Sequence, residues 1–417
     1  MVYSRFERRI IALLLALIGA QSWASAEQPL DLEGYVAIVL RAHPAIRQSL
    51  ALDSAAVAER RAARLVPDPV LEISGGRGTV LEAEGLRGTE TGFSISQSLP
   101  WITRYQAGKQ VGERASDFLR ASADAQRWEL KISAREAFVQ LLRAHAVVEI
   151  SKAAESDARW LRDLATRRAE LGESREIDRL KAEVEWLRQR RNLQAAEREA
   201  DAAEAILRRL AVVPLPQPLV LQGELPAPVS ALQREALLER LASSNPALRA
   251  AQAEKLRQAA RAELERSSRY PDIDLSVFRQ HEIDKRATGV AVGLVLPLWN
   301  ARRGEIARAE AGAALAEADF EAERLALQTE LEARGRDVEV ASSEVAILVD
   351  QVLPAAAGSL QLARLTYEEG ETSLLDLLDA QRTHRDTQRE AIESRFALAA
   401  AVLNLQRLVG PDFDPWR

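Results

Sequence analysis

The chain has 417 residues, no cysteine, 56 basic and 62 acidic side chains, and only 5% aromatic residues. The missing cysteine excludes disulfides and thiolate metal sites, and the balanced charge gives no basic stripe for nucleic acid, so we expect no nucleic-acid partner. The abundance of Ala, Leu, Glu and Arg is typical of long packed helices rather than of a β-rich globular enzyme.

The N-terminus has the pattern of a secretory signal peptide over residues 1–26. Three arginines precede an apolar run at 10–18, and small residues at 24–26 suit cleavage, so we expect export and a mature chain from Glu27. The run is about half of the ~20 residues that a membrane-spanning helix needs, which disfavours an uncleaved anchor. We expect no later apolar stretch of ~18 residues, so membrane insertion would use β-strands, whose hydropathy signal is weak.

The mature chain is one unit written twice. The motif His43-Pro44-Ala45-Ile46-Arg47 recurs as Asn245-Pro246-Ala247-Leu248-Arg249, and the segment Gly172–Leu180 aligns with Gly370–Leu378. A Pro-rich stretch cannot continue a helix and separates the two copies. We therefore divide the chain into four parts: the signal peptide 1–26, a first repeat 27–213, a Pro-rich connector 214–230 and a second repeat 231–417.

Each repeat is predicted to contain a helix, a β-hairpin, a very long helix, a turn and a last helix. Asp31 is a plausible N-cap for a helix that runs to about Leu65, with Pro44 breaking or kinking it. Strands are indicated by alternation of apolar with small or polar residues, most clearly over Gly289–Leu296. A soluble β-sandwich is the alternative reading of this alternation, but it would need more strands.

Two stretches without turn signals predict rod-like helices. They run from about Thr103 to Leu171 and from about Ala301 to Glu369, each ~100 Å long at ~1.5 Å per residue. Pro354 lies inside the second rod, where we expect a bend or a break. No compact globular domain needs such rods.

Four strands cannot close a membrane barrel, because open edges in hydrocarbon leave backbone groups unpaired. Other chains must complete the sheet: two chains would supply eight strands and three would supply twelve, and the sequence does not choose between them. Trp101 and Trp299 follow the strands, where an aromatic ring would lie at the headgroup level. The alternative is that both rings pack between helices.

The chain resembles the outer membrane efflux protein (TolC) family in three features: the duplicated Pro-Ala motif, the Pro-flanked strand pairs and the twin Gly-containing turns. The resemblance implies a mainly α fold with membrane β-structure, in which long α-helical hairpins form a periplasmic tunnel and each chain adds four strands to a shared outer-membrane barrel. It also implies a passive exit duct, a homotrimer, contact with outer-membrane lipid, a periplasmic adaptor and an inner-membrane efflux pump of RND type. The segments Ser94–Pro100 and Glu170–Ser174 are most similar to the heavy-metal efflux branch, often called CzcC-like.

The resemblance also assigns candidate site residues. Its partner-docking tips correspond to Leu171, Gly172, Glu173, Ser174, Glu369, Gly370, Glu371 and Thr372. Its aperture and gating residues correspond to Asp376, Asp379, Tyr367 and Asp178, although Thr372 stands where the family has an arginine. Independently, Asp376 and Asp379 lie at i and i+3 on one helix face, where repeated like charges would attract cations at a constriction. Two solvated acids near a helix N-terminus are the alternative.

Catalytic chemistry is missing from the sequence. We find no metalloprotease motif, P-loop or nucleophile elbow, and therefore predict neither an enzyme nor a cofactor. The four histidines are scattered without an i, i+4 partner, so no metal site is predicted from them. A periplasmic coiled-coil scaffold or adaptor-like structural protein is the alternative function, since it would need long helices but no membrane strands.

Overall fold

Long antiparallel helices lead from a four-stranded sheet to two tight turns. A computed structural model describes residues 29–63, 66–80, 86–172, 174–225, 232–296, 301–411 and 413, so the predicted signal peptide and part of the connector lie outside the described residues. The helices are α1 Leu32–Ala42, α2 Pro44–Ala62, α3 Ile102–Glu170, α4 Glu176–Ala211, α5 Arg234–Ser244, α6 Pro246–Ser267, α7 Arg303–Ile347, α8 Leu353–Glu368 and α9 Leu374–Val409. The strands are β1 Val70–Val80, β2 Leu86–Leu99, β3 Asp272–His281 and β4 Arg286–Val295.

The predicted rods are confirmed. Helix α3 has 69 residues without interruption, and its buried positions are mostly small or aliphatic side chains that let neighbouring helices approach closely. Helices α2, α4, α6 and α9 all pack along it. The same order of elements occurs in both halves, while the division at 27–213, 214–230 and 231–417 stays a prediction.

The duplicated Pro-Ala motif marks a helix restart in each half. Asp31 caps α1 as predicted, with its Oδ1 accepting from the Gly34 N–H at 3.0 Å. The predicted break at Pro44 is confirmed: Pro44 opens α2 as its first residue, His43 caps it through Nδ1, and α2 ends at Ala62, near the expected Leu65. Asn245 and Pro246 repeat this arrangement at the start of α6.

We expect Asn245→Ala to lower stability by about 2–3 kcal/mol, because it removes an N-cap and leaves a buried carbonyl unpaired. Asn245 is 2% exposed, its Oδ1 accepts from the Leu248 N–H at 2.7 Å, and its Nδ2 donates to the Leu408 carbonyl at 2.7 Å. Chemical unfolding of the purified protein measures the loss. Asn245→Asp keeps the cap acceptor, so its stability should lie between that of the wild type and that of Asn245→Ala. An unchanged stability in Asn245→Ala would contradict the assigned role of Asn245.

The second rod contains a π-helical turn, Leu348–Val352, directly before Pro354. Proline has no N–H and its ring crowds the carbonyl four residues earlier, so widening the preceding turn by one residue relieves the conflict. The Leu353 N–H accordingly donates to the Leu348 carbonyl, five residues back. The predicted bend or break is therefore a local change of helix type, after which the rod continues as α8.

The four strands form one antiparallel sheet in the order β1-β2-β3-β4. Ile95 of β2 lies opposite Leu71 of β1 and Val277 of β3, and Val277 lies opposite Val290 of β4. This register aligns the apolar positions of all strands on one face. In the described part of the chain, β1 and β4 each keep one edge without a paired strand.

Candidate functional site at the helical tip and on the sheet

The two helical hairpins end in tight turns that require glycine. Gly172 follows α3 with φ of 75°, and Gly370 follows α8 with φ of 81°, both in the left-handed region. The Gly172 N–H donates to the Ala169 carbonyl at 3.1 Å, and the Gly370 N–H donates to the Tyr367 carbonyl at 3.1 Å. Each glycine thus closes the last helical turn and reverses the chain over a few residues.

The predicted docking residues lie on these turns and are mostly exposed. The Leu171 side chain is 72% exposed, and Glu369, Gly370 and Glu371 are also exposed, whereas Ser174 is half-buried. Glu173 lies outside the described residues. A large apolar side chain held in solvent at the end of a ~100 Å rod has no packing role within the chain.

Thr372, which replaces the arginine of the resembled family, stabilises its own turn. Its hydroxyl lies 3.1 Å from the hydroxyl of Thr366, and the Glu371 N–H donates to the Thr366 carbonyl at 2.8 Å. These bonds complete a Schellman-type helix end. The substitution therefore leaves a local turn contact at this position instead of a long cationic side chain.

A small apolar cluster joins the ends of the four long helices behind the turns. Its buried members are Leu161, Ala165, Ala182, Tyr367, Leu374 and Leu377. They come from α3, α4, α8 and α9, so both repeats contribute to one core. The turns are thereby held at a fixed distance from each other.

Tyr367 lies in this cluster and is held by Arg168, a residue that the sequence analysis missed. The Tyr367 side chain is 6% exposed, and the Arg168 guanidinium lies 4.9 Å from the ring centroid. Arg168 also donates to the carbonyls of Tyr367 at 3.2 Å and Glu368 at 3.0 Å, which satisfies the end of α8. A basic residue in the last turn of α3 was the available signal, but not its partner 199 residues away.

Asp178 is close enough to Tyr367 for the two to interact electrostatically. Burial raises the pKa of Tyr367, the Asp178 charge raises it further, and Arg168 opposes both. Asp178 itself pairs with Arg175 at 3.1 Å, at the start of α4. Of the predicted gating residues, Tyr367 and Asp178 therefore lie in the same region behind the turns, on α8 and α4.

Asp376 and Asp379 are both exposed on α9, but their surroundings differ. Asp376 forms a capping box with Ser373: its Oδ2 accepts from the Ser373 N–H at 3.2 Å and from the hydroxyl at 2.6 Å. These bonds lower the pKa of Asp376. Asp379 lies one turn further on, at the edge of a groove between α9 and α4.

We expect acidification to destabilise the helical body partly through His384 of α9. Burial lowers the pKa of His384 from its ordinary value of 6.5, Asp157 opposes this weakly, and Nδ1 has no hydrogen-bond partner within the described residues. Because the folded-state pKa is depressed, the unfolded chain binds more protons below about pH 6.5, and this contribution to stability is lost as pH falls. Thermal unfolding from about pH 7.5 to about pH 5.5 should therefore show a smaller drop in His384→Gln than in the wild type; equal drops would contradict the assignment.

The sheet has one apolar face and one face of small or polar residues. The apolar face consists of Leu71, Ile73, Phe93, Ile95, Ile273, Leu275, Val277, Val290, Val292 and Leu294. The opposite face carries Glu72, Ser74, Ser94, Ser96, Asp274, Ser276, Gly289, Ala291 and Gly293, with Val70 and Phe278 as its larger apolar members. Gln97 and Arg279 are polar exceptions on the apolar face. Most of the apolar side chains are exposed, so the chain itself supplies no core to cover them. This distribution is that of a membrane strand, with lipid on one side and water on the other.

Trp101 lies where the sheet meets the helices. Its ring stacks on Tyr270 with centroids 6.4 Å apart and planes at 17°, and it is 37% exposed. Tyr270 was missed in the sequence, although it directly precedes Pro271 and β3. Trp299 lies outside the described residues, and the membrane-interface role of both tryptophans stays a prediction.

Known proteins resemble the chain in both sequence and structure. Residues 237–411, which comprise most of the second repeat, match the family model described as outer membrane efflux protein. Over this segment, which is less than half of the chain, the protein is similar to the outer membrane efflux family. The similar proteins are outer-membrane efflux channels with a periplasmic helical tunnel, which supports the predicted location of this chain in the outer membrane.

One relative and several solved structures are similar to the chain over most of its length. The cobalt-zinc-cadmium resistance protein CzcC of Cupriavidus metallidurans is 27% identical over 324 residues, which cover 77% of this chain and 76% of that protein. The outer-membrane channel OprN superposes with a TM-score of 0.77 at 21% identity, over 91% of this chain and 89% of that one. VceC of Vibrio cholerae superposes with a TM-score of 0.74 at 17% identity, over 91% and 96%. These likenesses confirm the predicted fold of helical tunnel and barrel strands.

One sequence expectation is wrong. A stretch within Arg303–Glu368 is long and apolar enough to cross a membrane by length and composition, yet only 11% of it is buried in the single chain. The periodic Ala, Leu and Val of α7 and α8 produce this average, because few charged residues interrupt them there. The exposure indicates a helix surface that lacks its packing partner within one chain.

Proposed function

We propose that three copies of this chain form one exit duct of a tripartite efflux system, with heavy-metal cations as the substrate. The observation that carries the proposal is the sheet: its outward face is apolar, its inward face is small and polar, and both of its edges are unpaired in the described residues. Twelve strands from three chains would pair all these edges and leave a water-filled interior.

Exposed apolar rows on the helices support self-assembly. They comprise Leu180, Val184 and Leu187 on α4, Leu315, Leu325, Val340 and Ile347 on α7, and Leu362 and Leu365 on α8. Helices α4 and α8 belong to different repeats, so packing α4 of one chain against α7 and α8 of the next would bury both rows. A closed ring of three chains satisfies every such surface.

The metal substrate is proposed from the relative CzcC, whose name states resistance to cobalt, zinc and cadmium. The proposed partners are a periplasmic adaptor and an inner-membrane pump, which would meet the exposed turns around Leu171 and Gly370. A duct conducts ions without holding them, so the proposal requires no resident metal site.

The proposal is tested by deleting the gene for this chain and measuring growth on cobalt, zinc and cadmium salts and on hydrophobic drugs. We expect sensitivity to the metals, restored by the intact chain, and a detergent-stable trimer in outer-membrane extracts. Drug sensitivity alone would replace the substrate class, and a soluble monomer would overturn the duct.

We propose further that Asp379, with Asp376, forms an acidic ring at the aperture of the trimer. Because Asp376 is engaged by Ser373 while Asp379 is free of this bond, we expect Asp379→Asn to reduce the cation preference of single channels more than Asp376→Asn does. The ratio of cation to anion permeability in planar bilayers measures this. Unchanged selectivity in the double variant would refute the acidic ring.

A further inference from the structure

A groove of about 480 Å³ lies above the tip, between α4 and α9, with α3 as its floor. Its wall on α4 includes Glu185, Arg188, Gln189, Arg191 and Asn192. Its wall on α9 includes Asp379, Arg382, Arg385, Asp386 and Arg389. The volume is in the range of pockets that hold small molecules, and we call it the arginine groove.

The arginine groove has an excess of positive charge: five arginines face three carboxylates. Arg385 pairs with Glu185 at 2.9 Å, and both side chains are largely buried. Arg382 and Asp386 are 3.7 Å apart and exposed, which is a weak surface pair. Two of the three carboxylates, Glu185 and Asp386, are therefore paired with Arg385 and Arg382.

Three arginines are left over, Arg188, Arg191 and Arg389, and Arg191 donates to the side-chain oxygen of Asn192 at 3.3 Å. Within the described residues, Arg188 and Arg389 donate to no side chain. Neither lies within ion-pairing distance of a carboxylate anywhere in the part of the chain that the structure describes. They stand on opposite walls, one on α4 and one on α9. A guanidinium presents a planar set of donors that matches carboxylate and phosphate oxygens, and two such groups across a groove favour a ligand with at least two oxyanion groups.

The groove is separate from the apolar row that we assign to contact between chains. At about 100° per residue, Leu180, Val184 and Leu187 point roughly 110° away from the centre of the groove face on α4. A neighbouring chain that covers the row need not close the groove.

We propose that the arginine groove binds a small multivalent oxyanion, of the di- or tricarboxylate or phosphate class, between Arg188 and Arg389. The groove carries a net positive charge although Asp379, one of the two proposed aperture acids, lies on its wall. It places a positive layer about 10–25 Å above the turns, counted at ~1.5 Å per residue from the start of α9.

The purified full-length protein, in the detergent used to extract it, is titrated calorimetrically with citrate and, separately, with inorganic phosphate. We expect saturable binding, and a loss of at least about tenfold in the Arg188→Gln, Arg389→Gln double variant, since each arginine would supply a charge-assisted hydrogen bond. Tighter binding of citrate assigns a carboxylate ligand, and tighter binding of phosphate assigns a phosphate; either result supports an oxyanion site.

The matched control is Arg261→Gln with Arg308→Gln, which removes the same charge from exposed positions near the sheet end of the helices. This control should bind both probes as the wild type does. No saturable binding by the wild type, or an equal loss in both double variants, would overturn the site. Arg188→Lys with Arg389→Lys should keep part of the affinity, and its unfolding temperature verifies that folding is intact. The titration needs no transport, so its failure leaves the proposed efflux function untouched.

Discussion

Val292→Arg should remove most of the protein from the outer membrane. Val292 lies on the apolar face of β4, opposite Leu275, and is 66% exposed in the single chain. A charged side chain on the lipid face near the middle of the membrane costs about 2–4 kcal/mol, and the proposed trimer would carry this cost three times. Membrane fractionation with immunodetection measures the amount inserted.

Ala291→Arg is the matched control for this experiment. Ala291 is the preceding residue of the same strand and lies opposite Ser276 on the small, polar face. Arginine there would face water inside the barrel and should permit insertion, with a change in conductance instead. Equal loss of both variants would mean that the two faces do not have different surroundings, which would contradict the barrel.

Leu171→Asp should abolish efflux while the channel still assembles in the membrane. Leu171 is the exposed apolar side chain of the first turn, and we propose that it is buried against the adaptor. Losing an apolar anchor at the centre of an interface costs about 2 kcal/mol or more, roughly a thirtyfold loss of affinity. Metal tolerance of the deletion strain carrying the variant, and cross-linking to the adaptor, are the measurements.

The control for Leu171→Asp is Leu50→Asp, on α2. Leu50 is also a largely exposed leucine, but it lies far from the turns along the chain axis. It should leave tolerance unchanged. Full tolerance in Leu171→Asp, with normal amounts of trimer, would remove this turn from the docking surface.

Local signals predicted much of the fold. Pro44 and Pro246 restart helices because proline suits the first helical position, and alternation over Val290–Leu294 gave the orientation of the strand. The glycines of both turns were found because the segment around Gly172 repeats around Gly370, and their left-handed φ explains why a helix reversal needs glycine there. Each of these features depends on a few consecutive residues.

Contacts between distant segments were not predictable in the same way. Arg168 meets the end of α8 from the other repeat, and Arg188 faces Arg389 across a groove, because of how the rods are rotated about their axes. Hydrophobic periodicity defines the face of a helix but not which neighbour it meets. The capping role of Asp376 could be inferred more directly from the sequence, since Ser373 and Asp376 have the spacing of a capping box.

The π turn before Pro354 is a point at which the second rod could bend. Helix α8 extends 16 residues beyond it, or about 24 Å, so a pivot of about 10° at Leu348–Val352 would sweep the turn at Gly370 sideways by about 4 Å. Arg168 of α3 donates hydrogen bonds to the carbonyls of Tyr367 and Glu368 at the end of α8. A bend at the π turn would therefore move both turns together or break these two hydrogen bonds. The width of the opening between the turns would then depend on whether Arg168 keeps its hydrogen bonds to the carbonyls of Tyr367 and Glu368.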